Sequence, residues 1–179
     1  MKNTTLILAL ICTFTFTSCN ETVPCETPTN GFLTGTDYKV KMGSSEAVEV
    51  FKQLDAAWAK LDYDAMQTFI AEEASFSFAD GFVATGHQEF VDKIKAQVAK
   101  SIAEGNNYEW TTDYAFALAL TDDGNDATSM DSGDWVNAQF TSKNTSQDSE
   151  IDSEVIYEYY HILDGKVTLW SQFKKTIKK

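Results

Sequence analysis

Few side chains in this sequence are placed to do chemistry. Histidine is the side chain best suited to acid/base work near neutral pH, and His161 ends the aromatic run Tyr157-Glu158-Tyr159-Tyr160-His161. Asp80 precedes a glycine in Phe78-Ala79-Asp80-Gly81. The two could work as an acid/base pair on a small, non-nucleotide substrate. Each also has a plainer reading: turns select Asp before Gly for backbone reasons, and His161 can be a satisfied or half-exposed histidine. His87, at the start of a helix, reads as a surface residue. Asp122, Asp123, Asp126, Asp131 and Asp134 invite a calcium reading, but Gly124 comes too early for an EF-hand loop and no Glu closes the run. A solvated hairpin loop is expected there, and neither a metal nor another cofactor.

Composition narrows the field further. All 14 basic residues are lysines, so nothing in the chain can clamp a phosphate or carboxylate with a guanidinium fork. No glycine-rich phosphate loop is present either. Met1–Cys19 has the parts of an export signal: Lys2 as the only charge, an apolar run opening at Leu6–Leu10, and Phe16-Thr17-Ser18-Cys19 at its end. The segment is too short and too threonine-rich for a comfortable membrane span. Ending on Cys, it resembles a bacterial lipobox with Phe16 where the pattern has Leu; the alternative is an ordinary signal with a coincidental Cys. Cleavage after residue 18 would leave 161 residues, with 13 lysines against 27 acids and a net charge of −14. Such a chain is repelled by nucleic acid and by anionic headgroups, so its expected membrane contact is a lipid on Cys19 alone. The expected location is the bacterial cell envelope, at the outer membrane. Cys25 then has no partner for an internal disulfide and reads as incidental.

The elements that must position any site follow. Residues 19–43 hold Pro24, Pro28 and three glycines, the composition of a flexible tether. From Ser44, a helix cap, Ala47, Phe51, Leu54, Trp58 and Leu61 recur as one apolar stripe. Asp62 caps a short second helix burying Met66, Phe69 and Ile70. Ser75–Phe78 alternates as a strand, and Thr85-Gly86-His87-Gln88 opens a third helix with Phe90, Ile94, Val98 and Ile102 inward. From Tyr108 the period becomes two. Bulky residues from Tyr108 to Leu120 share one face, and Ala115, Ala117 and Ala119 lie on the other, where something should approach the sheet closely. A strand around Trp135–Thr141 follows. Ile151–Leu163 and Lys166–Lys174 then form a hairpin across Asp164-Gly165, a type I′ signal.

That turn fixes a register in which Tyr160 faces Leu169 and Tyr159 faces Trp170. One face is aliphatic core, interrupted by a Glu158–Ser171 pair. The other carries Tyr157, Tyr159, His161, Trp170 and Gln172, aromatic with hydrogen-bonding tips. Such a face suits a pocket or a dimer interface equally.

The order of elements, Trp58, Leu61-Asp62-Tyr63-Asp64-Ala65-Met66, Phe69–Ala74, Gly86, Gly133-Asp134-Trp135-Val136 and Asp164-Gly165-Lys166-Val167 together resemble the nuclear transport factor 2-like superfamily, including SnoaL-like cyclases and ketosteroid isomerase. The resemblance covers residues 44–179. It implies an α+β domain, a curved antiparallel sheet with three N-terminal helices forming a cone (a cystatin-like α+β barrel) around a pocket; many such domains pair through the sheet. The isomerase's catalytic aspartate falls at Phe78 and its first-helix tyrosine at Leu54, so that arrangement is lost. Its partner aspartate falls at about Tyr157 or Tyr159, and the arginine of the epoxide-hydrolase branch has no counterpart. The expectation is a lipid-anchored binding or accessory domain for a small, partly apolar molecule. Tyr157, Tyr159, His161, Trp170 and Gln172 would line its pocket, with Phe76 and Phe78 as the apolar wall. The alternatives are a SnoaL-like enzyme using Asp80 and His161, and a homodimeric interaction domain with a filled pocket.

Overall fold

In the computed structural model the chain is described over residues 28–120 and 133–179. The export signal, Cys19, Cys25 and the aspartates from Asp122 to Asp131 lie outside the described residues. The elements run β1 (Gly31–Phe32), β2 (Lys39–Met42), α1 (Ser45–Ala59), α2 (Tyr63–Thr68), β3 (Ile70–Ser77), β4 (Val83–Thr85), α3 (Gly86–Ala103), β5 (Tyr108–Leu120), β6 (Asp134–Asn144), β7 (Ile151–Leu163) and β8 (Lys166–Lys178). Ser44 caps α1 by accepting from the Ala47 amide at 3.2 Å, and Asp62 caps α2 by accepting from Ala65 at 3.1 Å. At α3 Thr85-Gly86-His87-Gln88 has the spacing of a capping box, but the N-cap Thr85 makes no side-chain bond and Glu89, not Gln88, reaches back to the Thr85 amide at 2.8 Å. The α3 stripe also turns as it runs outward: Phe90, Val91 and Ile94 are buried, while Ile102 is exposed.

All the described strands join one sheet in the order β1-β2-β5-β6-β7-β8-β3-β4. Every pairing is antiparallel except β3 with β8, which is parallel. No tight turn joins those two strands, so nothing local dictates their relative direction. The helices pack on the face that becomes concave, α1 across β5–β7 and α3 against β3. Part of the expected tether is also sheet. Val40 pairs with Leu120 and Met42 with Leu118, so residues 31–42 extend the edge beyond β5. The alternation in Lys39-Val40-Lys41-Met42 is too short to stand out from its surroundings.

Two bulges set which side chains face inward. In β5 the pairing runs Thr112 with Phe140, then Tyr114 with Gln139, leaving Asp113 as the extra residue. Its carboxylate accepts from Gln139 at 3.0 Å and Thr141 at 2.8 Å on the outer side. The inward set therefore changes phase, from Tyr108, Trp110 and Thr112 to Ala115 and Ala117, and Tyr114 and Phe116 turn outward. The single bulky face read from the sequence is thus divided between the two sides. The close approach expected on the alanines is made by the entry to α1: Gly43 donates to the Ala117 carbonyl at 2.8 Å, and a Cβ on Gly43 would lie 2.8 Å from Ala117 Cβ.

The second bulge is at Thr168. Asp164 and Gly165 both have positive φ, 50° and 73°, as a type I′ turn requires, and Leu163 pairs with Lys166. Beyond Ile162–Val167, however, His161 pairs with Leu169, Tyr160 with Trp170, and Glu158 with Gln172. One extra residue reverses the faces of β8 against those of an unbulged hairpin. Val167 and Trp170, three apart, are both fully buried as a result. Inter-strand NOEs should therefore connect Tyr159 with Ser171 and Glu158 with Gln172. NOEs from Tyr159 to Trp170 would restore the unbulged register and contradict this description.

Candidate ligand cavity

Trp170 is the centre of the aromatic core. Its ring lies 4.9 Å edge-on from Phe78, 5.5 Å from Phe90, 6.0 Å from Phe76 and 6.2 Å from Trp58. Phe76 stacks on Phe90 at 4.2 Å. This cluster closes one end of the space between the helices and the concave sheet. Beyond it lies a cavity of about 790 Å³, bounded by Asp55 and Trp58 of α1, by Ile94, Gln97 and Ser101 of α3, and by Tyr108, Trp110, Phe140, Ile156, Glu158, Tyr160 and Gln172 of the sheet. The size suits a small organic molecule.

Glu158 is 1 % exposed and forms the polar floor. One oxygen accepts from the Tyr160 hydroxyl and from Trp170 Nε1 at 3.1 Å; the other accepts from Gln172 Nε2 at 2.9 Å. Burial pushes the carboxyl up from the usual glutamate range and outweighs the three donors, which favour the ionised form; the charge of Asp55 adds to the upward shift. Tyr160 is likewise pushed well up, first by burial and then by Glu158. The pair can present two chemistries to the cavity. Ionised, Glu158 accepts the hydrogen bond of the Tyr160 hydroxyl; protonated, it can donate to the phenol oxygen and release the Tyr160 O–H for another acceptor.

Asp55 faces this floor from α1. Thr112 Oγ1 donates to it at 2.9 Å, and burial raises its carboxyl while that bond opposes the shift. Toward the outer end of the cavity, Glu154 holds Lys174 at 2.9 Å and accepts from Thr176 at 3.3 Å. Among the described residues no group of His, Cys, Asp or Glu is arranged to hold a metal ion.

The residues expected to line a pocket separate. Gln172 lines the cavity, while Phe76, Phe78 and Trp170 are core behind its wall. Tyr157 and Tyr159 are each 39 % exposed, on the outer sheet face, because β7 alternates and Glu158 and Tyr160 take the inner positions. His161 is on that same sheet face but buried, 3 % exposed: its Nδ1 is 2.5 Å from Thr168 Oγ1 and its ring 4.8 Å from Trp135. Asp80 lies at the cavity rim, bound to Lys93 at 2.6 Å and to the Phe82 amide at 3.1 Å. The turn reading of Asp80 therefore holds, and the bond to Lys93 keeps its carboxyl below the usual range. The structure does not bring Asp80 and His161 together.

Asp55, Glu158 and Tyr160 were missed from sequence, though signals existed. Asp55 stands four residues after Phe51 and three before Trp58, an acid at a spacing the apolar stripe would otherwise claim. The position expected for a partner acid, about 157 or 159, brackets Glu158. Leu54 and Phe78, at the positions of the isomerase's tyrosine and aspartate, are both buried in the core.

A raised Glu158 makes stability pH-dependent. Below the glutamate range it is protonated in both states; as pH rises the unfolded chain releases its proton first. The stability this contributes is present at acid pH and lost as pH rises through the folded-state pKa. Thermal melts from about pH 4 to 8 should show the wild type losing stability relative to Glu158→Gln as pH rises. Parallel curves would show that Glu158 titrates as a solvent-exposed carboxylate does.

No protein-family model and no curated protein matches the chain. Solved structures do. An NTF2-like protein of unknown function from Mesorhizobium loti is 18 % identical, with a TM-score of 0.51 over 74 % of this chain and 93 % of that one. A putative ketosteroid isomerase from Kribbella flavida is 9 % identical, with 0.51 over 77 % and 84 %. An LEH-like epoxide hydrolase from Mycobacterium tuberculosis is 12 % identical, with 0.50 over 74 % and 84 %. Likeness at these identities concerns architecture and not activity. What the helices and the curved mixed sheet share with these structures is the NTF2-like cone fold, and this chain has it.

Proposed function

We propose that this chain is a small-molecule binding module, exported and held at the bacterial cell envelope through a lipid on Cys19. The observation that carries the binding reading is the cavity itself: about 790 Å³, walled by Trp58, Trp110, Phe140 and Ile156, with the polar groups Asp55, Glu158, Tyr160 and Gln172 converging on it. A partly apolar ligand buries against the rings and is oriented by the floor. Accessory binding is favoured over catalysis by Asp80 and His161, because each of those residues is engaged elsewhere. The envelope location rests on the Met1–Cys19 pattern.

A second reading has its own observation. Tyr114, Phe116, Tyr157, Tyr159 and Phe173 are all at least 39 % exposed on the outer sheet face. Aromatics of this kind are enriched where proteins pair, so a homodimer joined through that face is compatible with an open cavity on the other.

Native mass spectrometry on protein extracted from the envelope tests these statements together. The expected spectrum shows a chain starting at an acylated Cys19 and carrying an extra mass that leaves on denaturation. Soluble, unacylated protein would contradict the anchor. A ligand-free mass that persists after incubation with envelope small-molecule extract would contradict the binding module. A monomer at micromolar concentration would contradict the second reading.

A further inference from the structure

We propose that the cavity selects an organic cation: an ammonium group joined to an apolar, preferably aromatic, body. The inference rests on the cavity-binding reading above and names its ligand class. Eight charged side chains line the space, Asp55, Asp80, Glu104, Glu154 and Glu158 with Lys93, Lys100 and Lys174. Each lysine is already taken. Lys93 holds Asp80 at 2.6 Å, Lys174 holds Glu154 at 2.9 Å, and Lys100 lies 3.7 Å from Glu104. Asp55 and Glu158 are left, one on the helix wall and one on the sheet floor, close enough that the charge of Asp55 raises the Glu158 carboxyl. Neither has a basic partner among the described residues.

Geometry supplies the rest of a cation site. Thr112 occupies only one Asp55 oxygen, at 2.9 Å, and the other accepts no side-chain hydrogen bond among the described residues. Trp58 follows Asp55 by about one turn of α1, and Trp110 shares the inner face of β5 with Thr112. Trp110 rests on Phe140 at 4.9 Å yet is 44 % exposed, so much of its indole stays open on the concave side. A carboxylate beside an open indole such as that of Trp110 is the setting in which an ammonium gains both a charge-assisted hydrogen bond and cation–π attraction. An anionic ligand meets the unpaired Asp55 carboxylate and no arginine. A neutral one leaves the free Asp55 oxygen without a counter-charge.

Isothermal titration of the full chain with three probes of one skeleton separates the cases: tryptamine, tryptophol and indole-3-propionate. Tryptamine should bind about tenfold or more tightly than tryptophol, and indole-3-propionate should give no heat. Asp55→Asn keeps an acceptor for Thr112 and should weaken tryptamine about tenfold while changing tryptophol affinity far less. Equal binding of tryptamine and tryptophol, preferential binding of the acid, or unchanged tryptamine affinity in Asp55→Asn overturns the cation class and leaves cavity binding standing. Silence from all three probes overturns the cation class too. Whether the cavity binds anything at all is then decided by the native spectrum, which does not depend on these probes.

Discussion

Burying a carboxyl under the concave face of the sheet is the constraint on which the rest of this structure depends. A glutamate side chain as deep as Glu158 is costly unless hydrogen-bonded, and both of its oxygens are occupied by Tyr160, Trp170 and Gln172. Those three donors come from two adjacent strands, so the arrangement requires β7 and β8 to be in one particular register. The same Trp170 that donates to Glu158 also closes the aromatic cluster of Trp58, Phe76, Phe78 and Phe90. Polar floor and apolar wall are therefore two sides of one indole, and a change to either is felt by the other.

The register comes from the bulge at Thr168, and the cavity's shape owes as much to the bulge at Asp113. Each inserts one residue, bends its strand and increases the local twist, which is how a sheet wraps round helices instead of lying flat beneath them. The bulge in β5 also allocates volume. Large residues, Tyr108 and Trp110, face inward where the cavity is open, and alanines face inward where the chain enters α1 against the sheet. Ser44 donates to Asp134 there through both its amide and its hydroxyl, tying the helix start to the beginning of β6.

Much of this architecture was legible in the sequence. The helix caps at Ser44 and Asp62, the span of β7 and the type I′ turn follow from local chemistry that the tertiary structure leaves in place. The site was far less legible, for a physical reason. A bulge is a one-residue event with little sequence signature, yet side-chain alternation has a period of two, so one extra residue at Thr168 moved Trp170 and Gln172 to the inner face. Tyr157, Tyr159 and His161, unaffected by that bulge, stayed on the outer face. Glu158, read as an interruption of the core, is where the polar chemistry lies. The parallel entry of β3 and the short β1–β2 edge were hidden for a different reason: both depend on contacts between distant segments.

The central claim is that Glu158 is a carboxyl held in an environment that favours its neutral form, and it can be measured directly. Carbon-13 NMR of the glutamate side-chain carboxyls, assigned for Glu158 by its loss in Glu158→Gln, should show this one titrating above the other glutamates. A Glu158 resonance moving with the bulk of the glutamates would contradict the account, because the carboxyl would then be solvated and the cavity floor built differently.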